Sequence, residues 1–246
     1  MIWSFSWQEI KFTELGVKLN FFRRASSKFY SKFYNELFRR YETYDSLPSV
    51  WRQIKSNTAN EISKLIESET SVLSVGCGTG YVEKEIVGKL PKLSIDAFDF
   101  ADTANKWIQD VERVNSIQSL EENKKYNFIY CTQLLYALND KEIFEFSSMI
   151  KERLSNGGIF LTVDTSLNPL ENEVKKSNVD KSIKYKVKNL ILPLYVFFLR
   201  RKSAQFWGWE RDNEELIRIF RMNGFEAVKV FSSVGQSFLM FRLGES

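Results

Sequence analysis

Large apolar residues, most of them aromatic, recur at helical spacing in the first quarter of the chain. Between residues 26 and 44 they fall three or four positions apart, which predicts a helix with a wide aromatic face. That face carries Phe29, Tyr30, Phe33, Tyr34, Leu37, Phe38 and Tyr41. A second helix is predicted over residues 48–66. A stripe of this kind usually packs in a core, so we expect residues 1–60 to form an N-terminal helical cap.

Short apolar runs alternate with helical patterns from residue 70 onward. Strands are predicted over residues 72–75, 93–98, 111–117, 126–131, 159–163, 226–231 and 237–242, and helices over 81–90, 101–109, 141–154 and 213–222. Alternation of this kind predicts a parallel sheet with right-handed crossovers. The Gly235-Gln236 turn predicts an antiparallel hairpin at the sheet edge.

Two interruptions divide this core, which is predicted to span residues 61–246. Gly157-Gly158 is expected to end the helix before the fifth strand as its C-cap. The alternation then lapses over residues 165–212, which predicts an inserted lid.

Composition excludes several kinds of catalytic and metal chemistry and says less about the fold. The chain has 246 residues, of which 43% are hydrophobic, enough for one sizeable core. It has no histidine, which excludes a histidine base, a histidine-ligated metal and a Ser-His-Asp triad within the chain. Its two cysteines, Cys77 and Cys131, give neither a disulfide framework nor a metal-ligand set. We therefore expect no metal site and a cytoplasmic location.

Charge and hydropathy bear on partners. The net charge of +4 is spread along the chain without a long basic run, so no nucleic-acid partner is expected. The first residues lack the uninterrupted apolar stretch of a signal peptide. Residues 190–199 are apolar but cover about half of the ~20 residues that a spanning helix needs. With their basic flanks, residues 184–202 either fold as part of the lid or make weak contact with a membrane surface.

A glycine-rich turn follows the first predicted strand directly. Gly76, Gly78 and Gly80 let the backbone turn tightly and approach a ligand, with the amides of the next helix pointing at it. Asp99 ends the second strand, where a carboxylate can accept both hydroxyls of a ribose; the alternative is a surface turn residue. The G-x-G-x-G spacing differs from the G-x-G-x-x-G typical of dinucleotide dehydrogenases.

These segments resemble the class I, Rossmann-like S-adenosylmethionine-dependent methyltransferases. The likeness lies in residues 72–80 with Asp99, in residues 126–138 and 154–161, and in Asn223-Gly224-Phe225. The resemblance implies an α/β fold with a seven-stranded, mostly parallel sheet in the order 3-2-1-4-5-7-6 and helices on both faces. It also implies S-adenosylmethionine as the cofactor.

The resemblance assigns roles to particular positions. Residues 76–80, with Gly76, Cys77, Gly78 and Gly80, would wrap the methionine part of the cofactor, Asp99 would hold the ribose, and Phe100 would lie against the adenine. Cys131, Thr132 and Gln133 would line the methyl-donor end. Ser74 stands where the family usually has an acid that contacts the methionine end, so it brings a hydrogen-bonding group without a charge.

Acceptor-side residues are expected on the loops that follow the later strands. Asp164 ends the fifth strand and is either a general base or, alternatively, a helix cap or part of a solvated turn. Tyr136 lies in the loop after the fourth strand and is a possible acceptor contact. Trp207 and Trp209 either form an acceptor-binding wall or pack the lid onto the core.

The sequence therefore predicts methyl transfer from S-adenosylmethionine to a small-molecule or glycan-type acceptor. Methyl transfer accommodates a chain without histidine, because the cofactor supplies the reactivity and the protein supplies alignment and desolvation. Two alternatives stay open: a catalytically silent cofactor-binding scaffold, and a peripheral-membrane enzyme that acts on a lipid-linked acceptor.

Overall fold

The computed structural model describes residues 6–7, 10–11, 27–67, 70–101, 104–121, 123–165 and 211–244. The first two segments, β1 (Ser6–Trp7) and β2 (Ile10–Lys11), pair as a small antiparallel sheet. The predicted lid at 165–212, with the segment 184–202 inside it, lies almost wholly outside the described residues.

A seven-stranded sheet forms the centre of the structure. Its strands are β3 (Val72–Val75), β4 (Ile95–Phe98), β5 (Val114–Ser116), β6 (Tyr126–Thr132), β7 (Leu154–Thr165), β8 (Phe225–Ser233) and β9 (Gln236–Leu243). They lie in the order β5-β4-β3-β6-β7-β9-β8, and only β9 runs antiparallel to its neighbours. This is the predicted order 3-2-1-4-5-7-6, so the Rossmann-like fold is confirmed.

Helices cover both faces of this sheet. They are α1 (Ser27–Arg40), α2 (Ser49–Ser63), α3 (Tyr81–Lys89), α4 (Asp140–Arg153) and α5 (Asn213–Arg221). One apolar cluster joins α2 and α3 to one face, and a second joins α4 and α5 to the other. Local signals set the boundaries: Asn139 and Glu142 form a capping box at the start of α4, and Val234 and Gly235 have φ of 50° and 75° in the β8–β9 turn.

The segment before β7 differs from the prediction. The helix α4 ends at Arg153, and Leu154 already begins the strand, so Gly157-Gly158 is not the helix C-cap. The two glycines lie inside β7, where its pairing with β6 shifts register and Gly157 has a φ of 71°. A Cβ on Gly158 would lie 2.9 Å from the Ser155 carbonyl oxygen. The glycines therefore permit an irregularity in the strand.

The N-terminal helices pack against the core beside the glycine turn. A separate aromatic cluster holds Phe33, Leu37, Leu47, Trp51, Tyr81 and Trp107. Since Tyr81 and Trp107 follow the turn in sequence, this cluster joins α1 and α2 to the core. The division into a cap at 1–60 and a core at 61–246 stays a prediction; α2 itself continues past residue 60.

The topology places a crevice at the carboxyl ends of β3 and β6. The chain leaves β3 toward β4 and β5, then crosses back to β6 on the other side. Open α/β sheets bind ligands at such a reversal of strand order, outside the carboxyl ends of the strands. The glycine turn and Asp99 both lie at this edge.

Candidate active site

Three glycines shape the turn between β3 and α3. Gly76, Gly78 and Gly80 have φ of 77°, 57° and 70°, in the left-handed region that L side chains rarely adopt. Gly80 also permits a close approach, because a Cβ there would lie 2.3 Å from Ile108 Cγ1. The Gly76 N–H donates to the Phe98 carbonyl at 2.8 Å and ties the turn to β4. The result is a cradle of backbone at the N-terminus of α3, which fits the methionine part of S-adenosylmethionine.

Asp99 lies beside this cradle, as the sequence predicts. Its Oδ2 accepts the Gly78 N–H at 2.8 Å and its Oδ1 accepts the Ala101 N–H at 2.8 Å. Burial raises the pKa of Asp99, and the two backbone hydrogen bonds oppose that shift. A carboxylate has about four lone-pair sites, so each oxygen keeps capacity for a ribose hydroxyl. The neighbouring Phe100 ring is 44% exposed and packs edge-on against Phe98; its adenine contact stays a prediction.

The predicted methyl-donor end follows β6. Gln133 has a φ of 51°, and its N–H donates to the Val163 carbonyl at 2.7 Å. A non-glycine residue held in this region is uncommon and clusters at functional sites. Thr132 is half-buried beside it, whereas Cys131 is fully buried in the core cluster between the sheet and α4. Both Cys131 and Cys77 are free thiols.

An amine and a carboxyl group flank Gln133. Lys55 lies on α2 and its Nζ donates to Gln133 Oε1 at 2.9 Å. Burial lowers the pKa of Lys55 to about 8 and raises the pKa of Asp164 to about 6, while each attracts the charged form of the other. The Asp164 carboxylate also accepts the Thr162 hydroxyl at 2.7 Å and the Leu135 N–H. It therefore caps the turn after β6 and faces Lys55 at the same time.

Tyrosines from α1 reach the same crevice. The Tyr30 and Tyr136 hydroxyls lie 2.5 Å apart. A Cβ built on Gly78 would lie 2.6 Å from the Tyr34 hydroxyl, so that hydroxyl sits over the glycine turn. Burial raises the pKa of both α1 tyrosines, and the charge of Asp99 adds to the shift. The aromatic stripe of α1 thus has a packed side and a side that covers the cofactor crevice.

Arg211 holds the loop between β6 and α4. Its guanidinium donates to Asp140 Oδ1 through two nitrogens, at 3.0 and 2.8 Å, and to the Leu135 and Leu138 carbonyls at 3.3 and 2.9 Å. The Arg211 side chain is 4% exposed, so these charge-assisted bonds fix the loop that carries Tyr136.

Ser74 has a partner that the sequence did not indicate. Its hydroxyl donates to Glu83 Oε1 at 2.6 Å, and the Tyr130 hydroxyl donates to the same oxygen at 2.9 Å. Burial raises the pKa of Glu83, and these two hydrogen bonds oppose the shift. A buried carboxyl group thus lies where the sequence led us to expect only a hydroxyl.

Four residues at this site escaped the sequence analysis: Lys55, Glu83, Tyr30 and Tyr34. A signal was present for the first two, because Lys55 and Glu83 occupy apolar positions of α2 and α3 beside Trp51 and Val82. Charged residues are rarely fully buried unless they are paired, so such positions indicate a role. The two tyrosines gave no signal, since their spacing is also that of core packing.

Trp207 and Trp209 lie outside the described residues. Within the described part of the chain, no group of three or more His, Cys, Asp and Glu is arranged to hold a metal. The described helices include none that is long and apolar enough to cross a membrane.

A family model described as a methyltransferase domain matches residues 47–229. The chain belongs to this methyltransferase family. The match begins just before α2, so the helix that carries Lys55 is part of the family domain. S-adenosylmethionine is the cofactor of the family, which confirms the predicted family and its cofactor.

Known proteins extend the comparison at low identity. Myricetin O-methyltransferase of Catharanthus roseus is 25% identical over 179 residues, covering 71% of this chain and 47% of that protein. Malonyl-[acyl-carrier protein] O-methyltransferase of Bacillus anthracis is 28% identical over 107 residues, covering 40% of each. The matches thus span less than half the length of these curated relatives. A solved structure, the DhpI–SAH complex, superposes with a TM-score of 0.59 at 14% identity, covering 89% of this chain and 96% of that chain, and shows the shared fold.

Proposed function

We propose that this methyltransferase-family chain binds S-adenosylmethionine at the glycine turn and transfers its methyl group to an oxygen atom of a small-molecule or glycan acceptor. The observation that carries the proposal is the position of Asp99, whose carboxylate is hydrogen-bonded to the Gly78 N–H at the reversal of strand order. Both curated relatives described above are named as O-methyltransferases, which favours oxygen as the atom methylated. We place this activity in the cytoplasm.

The chain's own residues have separable roles in this reaction. The cofactor, when bound, supplies an electrophilic methyl group. The glycine turn and Asp99 bind and orient it, and the tyrosines of α1 exclude water from the crevice. For a hydroxyl acceptor, Asp164 would take the hydroxyl proton as the acceptor oxygen receives the methyl group that the cofactor would supply. Tyr136 contacts the acceptor.

The cofactor part of the proposal is tested by isothermal titration calorimetry with S-adenosylmethionine. We expect the wild-type chain to bind, and Asp99→Asn to bind about 10- to 100-fold more weakly, because a charge-assisted hydrogen bond contributes about 1.5–3 kcal/mol. Absence of binding by folded wild-type protein would refute the proposal. Binding without transfer to any acceptor, in a screen with methyl-labelled cofactor, would favour the silent scaffold.

The role of Asp164 is tested by a pH profile. Its pKa of about 6 means that the basic carboxylate form is populated above that pH and lost below it. We therefore expect kcat/KM for a hydroxyl acceptor to rise as pH increases through about 6, and Asp164→Asn to lose this limb with most of the activity. An acceptor that is already a carboxylate needs no base, so a profile without this limb would point to that substrate class.

A further inference from the structure

Glu83 is a buried carboxylate that spans the two strands bounding the cofactor crevice. The residue is 1% exposed. Its Oε1 accepts both the Ser74 hydroxyl and the Tyr130 hydroxyl. Ser74 and Tyr130 are direct partners in the register of β3 and β6, so the carboxylate bridges these strands close to where the glycine turn begins.

The other oxygen of this carboxylate is unpaired. Glu83 Oε2 has no hydrogen-bond partner among the described residues. Lys55 attracts the ionised form of Glu83, and its Nζ donates to Gln133 Oε1. A buried carboxylate oxygen without a donor is costly, and buried polar groups in native structures are nearly always satisfied. The unpaired oxygen therefore leaves an acceptor for a donor outside the described chain, and a cationic donor would also balance the charge of the carboxylate.

We propose that Glu83 Oε2 accepts the ammonium group of the methionine part of S-adenosylmethionine. The inference rests on the proposed function. Ser74 stands at the position where the family usually has an acid. Glu83, in the first turn of α3, brings a carboxylate to the same place. Ser74 then acts as a donor that holds the carboxylate, and Tyr130 holds it from the other strand. Glu83 is the residue that fixes the charged end of the cofactor.

Binding of two different ligands distinguishes this contact from the other contacts of the cofactor site. S-adenosylhomocysteine carries the ammonium group, whereas 5′-methylthioadenosine keeps the adenosine and the thioether and lacks the amino acid. We expect Glu83→Gln to weaken S-adenosylhomocysteine binding about 10- to 100-fold in calorimetry, and to leave 5′-methylthioadenosine binding unchanged. The matched control is Glu85→Gln on the same helix, whose carboxylate accepts the Ser56 hydroxyl at 2.6 Å; it should bind both ligands like the wild type.

A swap of the two residues gives the second test. Glu83→Ser should lose S-adenosylhomocysteine affinity as Glu83→Gln does, and the double variant Ser74→Asp, Glu83→Ser should restore it by returning the carboxylate to the strand. Unchanged S-adenosylhomocysteine binding by folded Glu83→Gln would overturn the inference while leaving the proposed function intact. If Glu83→Gln does not fold, the double variant decides: restored binding supports the inference, and weak binding by the folded double variant overturns it. Absence of binding by wild type would refute the proposed function itself.

Discussion

The glycine turn and the N-terminal helices meet at one crevice but depend on different kinds of interaction. The turn works through its backbone: the left-handed glycines, the Gly78 N–H and a single carboxylate at Asp99. The helices α1 and α2 work through long side chains, which bring Tyr34 over the turn and Tyr30 and Lys55 to residues that follow β6. The first region is specified by the glycines of residues 76–80 together with Asp99, which follows Gly78 by 21 positions. The second acts only after the helices have packed.

This difference predicts that substitutions in the turn lower the free energy of unfolding strongly, whereas substitutions in the helices have smaller effects. Tyr44 connects the two regions, because its hydroxyl lies 2.8 and 2.7 Å from the Thr79 and Trp107 carbonyl oxygens. Substitutions in the turn should therefore affect stability first, and substitutions in the helices should affect ligand binding, reaction rate or local stability.

The largest effect is expected at Gly80. Gly80→Ala combines a left-handed φ, which costs an L residue about 1–2 kcal/mol, with overpacking against Ile108, which costs about 1–3 kcal/mol. We expect a loss of about 2–5 kcal/mol in the free energy of unfolding, measured by urea denaturation. The control is Gly88→Ala in α3, where a Cβ meets nothing within 4 Å and the helix should gain about 0.5–1 kcal/mol. Equal stability of the two variants would contradict the steric account of the turn.

A smaller effect, on rate and pH dependence, is expected at Lys55. Lys55→Met keeps the length of the side chain and removes the positive charge that lowers the pKa of Asp164. The Asp164 pKa should then rise, so the acidic limb of kcat/KM moves to higher pH by about one unit and activity at pH 7 falls about twofold. Lys64→Met is the control, because Lys64 pairs with Glu61 at the surface. A pH profile identical to that of wild type would exclude Lys55 from the site.

The smallest effect is expected at the tyrosine pair. Tyr30→Phe removes one hydroxyl of the contact with Tyr136 and should cost about 1 kcal/mol in the free energy of unfolding. Tyr41→Phe near the end of the same helical region is the control, since its hydroxyl makes no hydrogen bond within the described residues. A double-mutant cycle of Tyr30→Phe with Tyr136→Phe measures the coupling directly. Additive losses would show that α1 is not tethered to the loop after β6 by this contact.

Sequence reasoning succeeded where the signal is local. The alternation of strands and helices predicted a parallel sheet, the resemblance to the methyltransferases implied its strand order, and the turn chemistry predicted the placement of Gly76, Gly78, Gly80 and Asp99. It failed at Gly157-Gly158, because a glycine pair after a helical pattern suits a C-cap and a strand irregularity equally well. It also treated the α1 aromatic stripe as packing alone, since periodicity does not show which hydroxyls face a ligand.

By itself, then, the sequence determined the α/β alternation and the backbone cradle at the glycine turn, because hydrophobic period and left-handed glycines are properties of short segments. Tertiary structure alone decided which side chains meet at this crevice. Lys55 reaches Gln133 across 78 positions, and Tyr30 reaches Tyr136 across 106. Glu83 supplies the carboxylate that Ser74 lacks, because α3 packs its first turn back onto β3. Such contacts depend on how helices dock on the sheet rather than on the neighbouring residues in the sequence.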